Sequence, residues 1–125
     1  AMRYGVRLAL EANSPRYTNY LNTTAEVFAL VKKLGNPGLA VNLDLGAILD
    51  NGERLRDFAA DLSWVSHVHI SEPGLAPIQP RPEQEELALM LGAAGYRGFV
   101  SIEMSAGETD APVLSAMQRI AEVFA

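Results

Sequence analysis

Four short apolar segments recur along this chain, each followed by a pattern typical of a helix, and this repetition limits the fold more than any other feature. The apolar segments are residues 4–10, 39–43, 64–72 and 99–102. The helical patterns are residues 23–34, 53–61, 83–94 and 110–124. Consecutive strand-helix units predict parallel strands joined by helical crossovers, which is an α/β fold. We expect residues 1–125 to form a single domain, with Ala1 as a remnant of an expression tag.

The helix boundaries have recognisable signals. Thr23 and Glu26 have the spacing of a capping box at the start of the first helix. Gly35 ends this helix, because glycine readily adopts the left-handed conformation found there. The other predicted boundaries are loops over 45–52 and 73–82, a helix start at Pro82, and a cap on the last helix at Asp110.

The composition excludes several classes of protein. A net charge of −5 and a pI near 4.9 argue against partners such as nucleic acids or membrane surfaces, since no stripe of Lys and Arg could neutralise phosphates. No apolar run approaches the roughly 18 residues of a membrane span. The sequence has no cysteine, which excludes disulfides and thiolate zinc sites and fits a cytoplasmic protein.

An ionisable residue stands at or just beyond the carboxyl end of each predicted strand. In parallel α/β sheets, ligands bind outside these ends. A single carboxylate there could also cap the next helix or pair with an arginine, and a single histidine could be a core residue, a general base or a metal ligand. Converging carboxylates repel one another without a cation between them, so the set favours a divalent metal such as Mn²⁺ or Mg²⁺ over a structural zinc. The set is Glu11, Asp44, His69 and Glu103.

Five segments, taken in order, resemble the second half of the xylose isomerase-like TIM barrels, a superfamily of sugar and sugar-phosphate isomerases and epimerases. The segments are Leu10–Asn13, Asn22–Glu26, Leu43–Gly46, His67–Glu72 and Gly95–Glu103. The resemblance implies half of a (β/α)₈ barrel that contains strands five to eight. Because a complete barrel takes about 250 residues, we expect self-association, such as a homodimer, or a partner to complete it.

The resemblance also implies an activity and its residues. Glu11, Asp44, His69 and Glu103 correspond to the ligands of a catalytic divalent metal, for which Mn²⁺ is the expected ion and Mg²⁺, Co²⁺ and Zn²⁺ are the alternatives. The implied reaction isomerises or epimerises a small sugar through an enediolate, with Glu11 and Glu103 moving the proton between carbons.

Other residues are assigned less directly. Asn13, Glu72 and Arg81 are predicted to contact substrate, although Glu72 could instead orient His69 or face solvent. Asn42 and Tyr17 are candidates for the walls of the site, and His67 is interpreted as a core or supporting residue.

Two departures from the family pattern leave a second hypothesis open. Ala47 stands where many members have a histidine, and Gly74-Leu75-Ala76-Pro77 replaces a Gly-x-Gly turn. The alternative is therefore a non-catalytic half-barrel that keeps a metal site. Phosphodiester cleavage, which abasic-site endonucleases of the same fold perform, is disfavoured by the acidic charge and the lack of a basic groove.

Overall fold

Four parallel strands form one sheet in the order β1-β2-β3-β4 in the computed structural model, which describes residues 2–105 and 107–125. The strands are β1 (Leu8–Leu10), β2 (Leu39–Asp44), β3 (Val65–Ile70) and β4 (Phe99–Ile102). The α-helices are α1 (Thr24–Leu34), α2 (Leu45–Asp50), α3 (Pro82–Ala93) and α4 (Ala111–Val123). Short 3₁₀ segments cover Met2–Tyr4, Leu55–Trp64 and Pro73–Leu75. The predicted α/β fold with four strand-helix units is confirmed.

The hydrophobic core lies between the sheet and its helices. Leu43, Val68 and Ile70 are completely buried, and they join one apolar cluster with residues such as Val31 of α1 and Leu87 of α3. Burying each such side chain contributes about 1.5–3 kcal/mol. This packing fixes the strands, and therefore the positions of the residues at their ends.

The start of α1 is held by side chains, as the capping box predicts. Thr23 Oγ1 accepts a hydrogen bond from the Glu26 amide, and the Glu26 carboxylate accepts one from the Thr23 amide. The carboxylate of Glu53 also accepts from the amides of Thr24 and Ala25, each at 3.0 Å. Gly35 ends the helix with φ of 55°, so both predicted ends of α1 are confirmed.

The first strand is shorter than the 4–10 predicted. β1 lies at the edge of the sheet and pairs only with β2, beginning with Leu8 opposite Leu39. Leu39 is the first residue of β2, so the chain before Leu8 has no neighbouring strand to pair with. Gly5, with φ of 67°, also bends this segment away from an extended path.

Two predictions between β2 and β3 are wrong. Residues 45–52 contain the short helix α2 and not only a loop, because the Asp44 side chain accepts a hydrogen bond from the Ala47 amide at 2.9 Å and caps the helix. The helix expected over 53–61 is a 3₁₀ segment, Leu55–Trp64. It still buries Leu55, Phe58 and Leu62, and the Phe58 ring stacks on Phe28 with ring centroids 5.3 Å apart.

The later boundaries follow the sequence more closely. Pro82 is the first residue of α3, as predicted. The segment 73–81 is irregular apart from its 3₁₀ turn. Asp110 directly precedes α4, but its side chain makes no capping hydrogen bond, which corrects the predicted cap.

The sheet is open at both edges within the described residues. β1 and β4 each pair on one side only, and Leu8 and Phe99 on these strands are 54% and 79% exposed. Leu114 and Met117 add exposed apolar surface on α4, which packs against β4. In the described part of the chain, no helix has the length and apolar character needed to cross a membrane.

Candidate metal centre and adjoining pocket

The four ionisable residues predicted at the strand ends lie together at the carboxyl ends of the four strands. Asp44 ends β2 and pairs in register with His69 of β3. Glu11 follows β1 by one residue, and Glu103 follows β4, where its amide donates to the carbonyl of Ile70. One potential ligand atom from each residue lies within 4.8 Å of the others. Parallel pairing therefore brings together side chains from distant parts of the sequence. The two that are farthest apart, Glu11 and Glu103, are separated by 92 positions.

His69 stands at the centre of this cluster. Its Nδ1 atom lies 2.7 Å from Glu11 Oε1, 3.3 Å from Glu103 Oε2 and 4.0 Å from Asp44 Oδ2. Three carboxylates against one imidazole leave an excess of negative charge even when the imidazole is protonated. This donor set fits a divalent cation with a preference for oxygen and nitrogen ligands.

The electrostatic effect of this crowding falls on Glu11. Burial raises the pKa of its carboxyl group above the usual glutamate value, and the nearby Asp44 and Glu103 carboxylates raise it further. His69 acts in the opposite direction, through its charge and its hydrogen bond, without cancelling the increase. A cation between these groups would favour the charged form of Glu11, so the raised pKa is consistent with a site shaped for a metal.

The Asp44 carboxylate is held in one orientation by its neighbours. Oδ1 accepts hydrogen bonds from Ser71 Oγ at 2.6 Å and from the Ala47 amide at 2.9 Å. Oδ2 is the oxygen directed toward His69. Asp44 thus caps a helix, which is one of the alternatives left open by the sequence, and it also presents an oxygen to the cluster. The role of Ser71 was not predicted, although its place directly after β3 was a signal for it.

Asn42 is a buried polar side chain beside the cluster. It is 8% exposed, and its Nδ2 donates to Glu11 Oε1 at 2.8 Å. Nδ2 also lies 3.2 Å from His69 Nδ1. Its Oδ1 is buried without a hydrogen-bond partner among the described residues. An unpaired buried acceptor costs about 1–3 kcal/mol, so Asn42 is not explained by stability.

A pocket of about 240 Å³ opens beside the cluster. Glu11, Asp44 and Glu103 form part of its wall. The loop after β1 contributes Asn13, Arg16 and Tyr17, and the end of α2 contributes Asp50 and Asn51. The predicted Asn13 and Tyr17 therefore lie at the pocket. Arg16, Asp50 and Asn51 were not predicted, since an exposed loop and a helix end carry no distinctive sequence pattern.

Glu72 and Arg81, both predicted to contact substrate, bind each other. The Arg81 guanidinium donates to both Glu72 carboxylate oxygens, with Nε at 2.8 Å from each. Glu72 is buried and lines the pocket, whereas Arg81 is not among its lining residues. Glu72 does not face solvent, because its carboxylate is buried and paired with Arg81, and among the described residues it makes no hydrogen bond with His69 that would orient the ring. Their contact with substrate stays a prediction.

His67 lies beside His69 on the same face of β3, as expected for a regular strand. The two rings meet edge to face with centroids 5.0 Å apart. Burial lowers the pKa of His67, and the charge of His69 lowers it further. His67 is not part of the cluster of potential ligands, in keeping with a supporting role.

The profile of the family described as xylose isomerase-like TIM barrel matches residues 1–123. The chain belongs to this family. Comparison with curated proteins finds no significant match.

Several solved structures share the fold at low sequence identity. L-Ribulose 3-epimerase is 22% identical, with a TM-score of 0.79 over 98% of this chain and 48% of its own. The 3-keto-D-glucoside 4-epimerase of E. coli is 20% identical, with a TM-score of 0.78 over 98% of this chain and 47% of its own. A family 2 AP endonuclease from Brucella melitensis is 24% identical, with a TM-score of 0.73 over 94% of this chain and 48% of its own.

The chain spans about half the length of the solved structures that it matches. With four parallel strand-helix units in consecutive order, this coverage confirms the prediction of half a (β/α)₈ barrel.

Proposed function

We propose that this chain carries the metal centre and the proton-transfer residues of a sugar isomerase or epimerase. The observation that carries the proposal is the convergence of Glu11, Asp44, His69 and Glu103 within 4.8 Å, in a member of the xylose isomerase-like family. Solved structures that share the fold include enzymes that epimerise sugars. The net charge of −5 favours a small sugar over DNA as the substrate.

Glu11 and Glu103 are assigned as the acid and base. They come from the first and last strands of the sheet, and both line the pocket. A substrate carbon between them would therefore have one carboxyl group on each side. One carboxylate removes the proton from that carbon, and the opposite carboxyl group returns a proton to the carbon skeleton.

Glu11, Asp44, His69 and Glu103 would hold the divalent ion. Mn²⁺ is the proposed ion, because three carboxylates with one imidazole match its ligand preferences. When bound, the ion supplies positive charge that offsets the negative charge developing on the substrate oxygens. Asn13 is proposed to contact the substrate from the loop after β1, with Glu72 and Arg81 as further candidates.

Exchange of substrate hydrogen with solvent tests the proposal. A panel of ketoses and their phosphates is incubated with Mn²⁺-loaded protein in D₂O, and deuterium at the carbon next to the carbonyl is followed by NMR. We expect exchange with wild type, and a loss of at least about 100-fold in Glu103→Gln, the usual scale of general acid-base catalysis. Tight Mn²⁺ binding without exchange on any substrate would instead favour the non-catalytic half-barrel.

The same proposal includes a second half-barrel, for which we favour a second copy of this chain. Exposed Leu8 at the β1 edge and exposed Phe99 at the β4 edge are the surfaces that barrel closure would bring together. Open strand edges also leave backbone groups without partners. Light scattering is expected to give twice the chain mass, and Phe99→Asp is expected to give the monomer mass. A wild-type monomer at micromolar concentration would rule out the homodimer.

A further inference from the structure

We propose that Asn42 is a positioning residue that holds Glu11 and His69 in register for metal binding. The inference rests on the proposed metal centre and assigns a task to a residue that lies outside the four ligands. Asn42 belongs to β2, which lies between β1 and β3 in the sheet. From this middle strand a single amide reaches a candidate ligand on each side.

The contacts of the amide nitrogen define the role. Asn42 Nδ2 donates to Glu11 Oε1 at 2.8 Å and lies 3.2 Å from His69 Nδ1. Glu11 Oε1 and His69 Nδ1 are themselves 2.7 Å apart. The three side chains therefore form a closed triangle across three strands. Moving any one of them changes its distances to both of the others.

The neighbours also fix which way the amide faces. If the amide were rotated by half a turn, Asn42 Oδ1 would take the place of Nδ2, 2.8 Å from a carboxylate oxygen of Glu11. Two acceptors at that distance repel, so the nitrogen faces the cluster. The oxygen is left buried and without a partner in the described part of the chain. The fold thus retains an unpaired acceptor in order to keep a donor on Glu11.

The surroundings show why stability does not explain this residue. Asn42 is itself only 8% exposed, and an apolar side chain at its position would leave no unpaired oxygen. Thr24 provides an internal comparison. Its Oγ1 is also buried without a partner in the described residues, yet Thr24 lies at the start of α1 and does not line the pocket. A substitution at Thr24 removes the same kind of defect without touching the cluster.

Calorimetric titration of Mn²⁺ into metal-free protein tests the inference with three variants. Asn42→Leu removes the donor while keeping the number and branching of side-chain heavy atoms, Asn42→Ala removes it without adding bulk, and Thr24→Val is the matched control. We expect Mn²⁺ affinity to fall by about 10–100-fold in both Asn42 variants, the range found when residues that orient metal ligands are replaced. Thr24→Val should stay within twofold of wild type. The thermal midpoint of metal-free Asn42→Leu should not fall below that of wild type.

Equal affinity in wild type and both Asn42 variants would overturn the proposal. A fall in affinity that Thr24→Val shares would also overturn it, since the effect would then arise from general loosening of the core. NMR of the His69 ring nitrogens in the metal-free protein gives a second readout, with a shifted Nδ1 signal expected in Asn42→Leu and an unchanged one in Thr24→Val. Unchanged signals in both would count against positioning. If wild type binds no Mn²⁺, the proposed function fails, while the NMR readout still decides the role of Asn42.

Discussion

Two regions of this sheet bury opposite kinds of side chain: the face covered by helices buries apolar ones, and the carboxyl ends of the strands gather ionisable ones. On the helix side, apolar residues such as Leu43 and Val68 are completely buried and join a single cluster with α1 and α3. At the carboxyl ends of the strands, three carboxylates and one imidazole each place a potential ligand atom within 4.8 Å of the others. The first region lowers the free energy of the fold, whereas the second raises it through burial and like charge. The difference supports the proposal that the strand ends are arranged for a ligand.

One strand contains both regions. In β2, Leu43 is completely buried in the apolar cluster, while Asn42 and Asp44 on either side of it reach the ionisable cluster. Side chains alternate between the two faces of a strand, so neighbouring residues enter different environments, one apolar and one ionisable. Mutations on the two sides should therefore separate stability from metal binding.

The largest effect on stability is expected on the helix side. Leu87→Ala removes a completely buried side chain from α3 and should cost about 2–5 kcal/mol of unfolding free energy. Leu89→Ala, on the same helix but 76% exposed, is the matched control and should change stability by less than about 0.5 kcal/mol. Urea denaturation measures both. Equal effects would mean that α3 is not packed on the sheet as described.

A smaller effect is expected where the two regions meet, at Gly46 in the first turn of α2. A Cβ atom there would overlap Ser71 Oγ and lie 3.1 Å from the backbone carbonyl of Glu72, so Gly46→Ala displaces the Ser71 side chain and presses against the chain after β3. Such overpacking typically costs about 1–3 kcal/mol.

Gly46→Ala should also weaken Mn²⁺ binding, because the Gly46 amide donates to Ser71 Oγ, and Ser71 orients Asp44. Gly92→Ala in α3, where a Cβ meets nothing within 4 Å, should gain about 0.5–1 kcal/mol and leave the binding unchanged. Thermal unfolding and calorimetry give the two readouts. Unweakened binding in Gly46→Ala would show that the two regions are independent.

The smallest effect on stability is expected at the cluster itself, and it has the opposite sign. Glu11→Gln removes one of the crowded carboxylates and should stabilise metal-free protein by about 0.5–2 kcal/mol while abolishing tight Mn²⁺ binding. Folding raises the pKa of Glu11, so the protonated form of this side chain favours the folded state. Its stabilising contribution is complete below the usual glutamate pKa and is lost as the pH rises through the pKa of the folded protein.

The variant Glu11→Gln should therefore become more stable than wild type as the pH rises from the usual glutamate pKa to the pKa of Glu11 in the folded protein. Above that pH the difference in unfolding free energy should stay constant. Unfolding free energies of the two proteins across the acidic range measure it. The exposed Glu86→Gln in α3 should show no such trend. A Glu11→Gln variant less stable than wild type at neutral pH would contradict the view that this cluster opposes folding.

Much of this arrangement could be predicted from the sequence. The β-branched and aliphatic segments predict the strands, and Thr23 with Glu26 predicts the start of α1, because these signals act between residues that are close in the chain. The repeated strand-helix order predicts parallel pairing. Since parallel strands place their carboxyl ends on one edge, the order also predicts that Glu11, Asp44, His69 and Glu103 converge.

Other features required the tertiary structure. The 3₁₀ geometry of Leu55–Trp64 and the early end of β1 depend on which neighbours are available for packing and pairing, and local sequence does not specify them. Several side-chain contacts also join residues from separate segments. Arg81 pairs with Glu72, Ser71 donates to Asp44, and Asn42 contacts both Glu11 and His69. The sequence by itself determined which residues stand at the strand ends. Only the fold decided how their oxygen and nitrogen atoms are oriented, because orientation is set by hydrogen bonds between segments that meet only after folding.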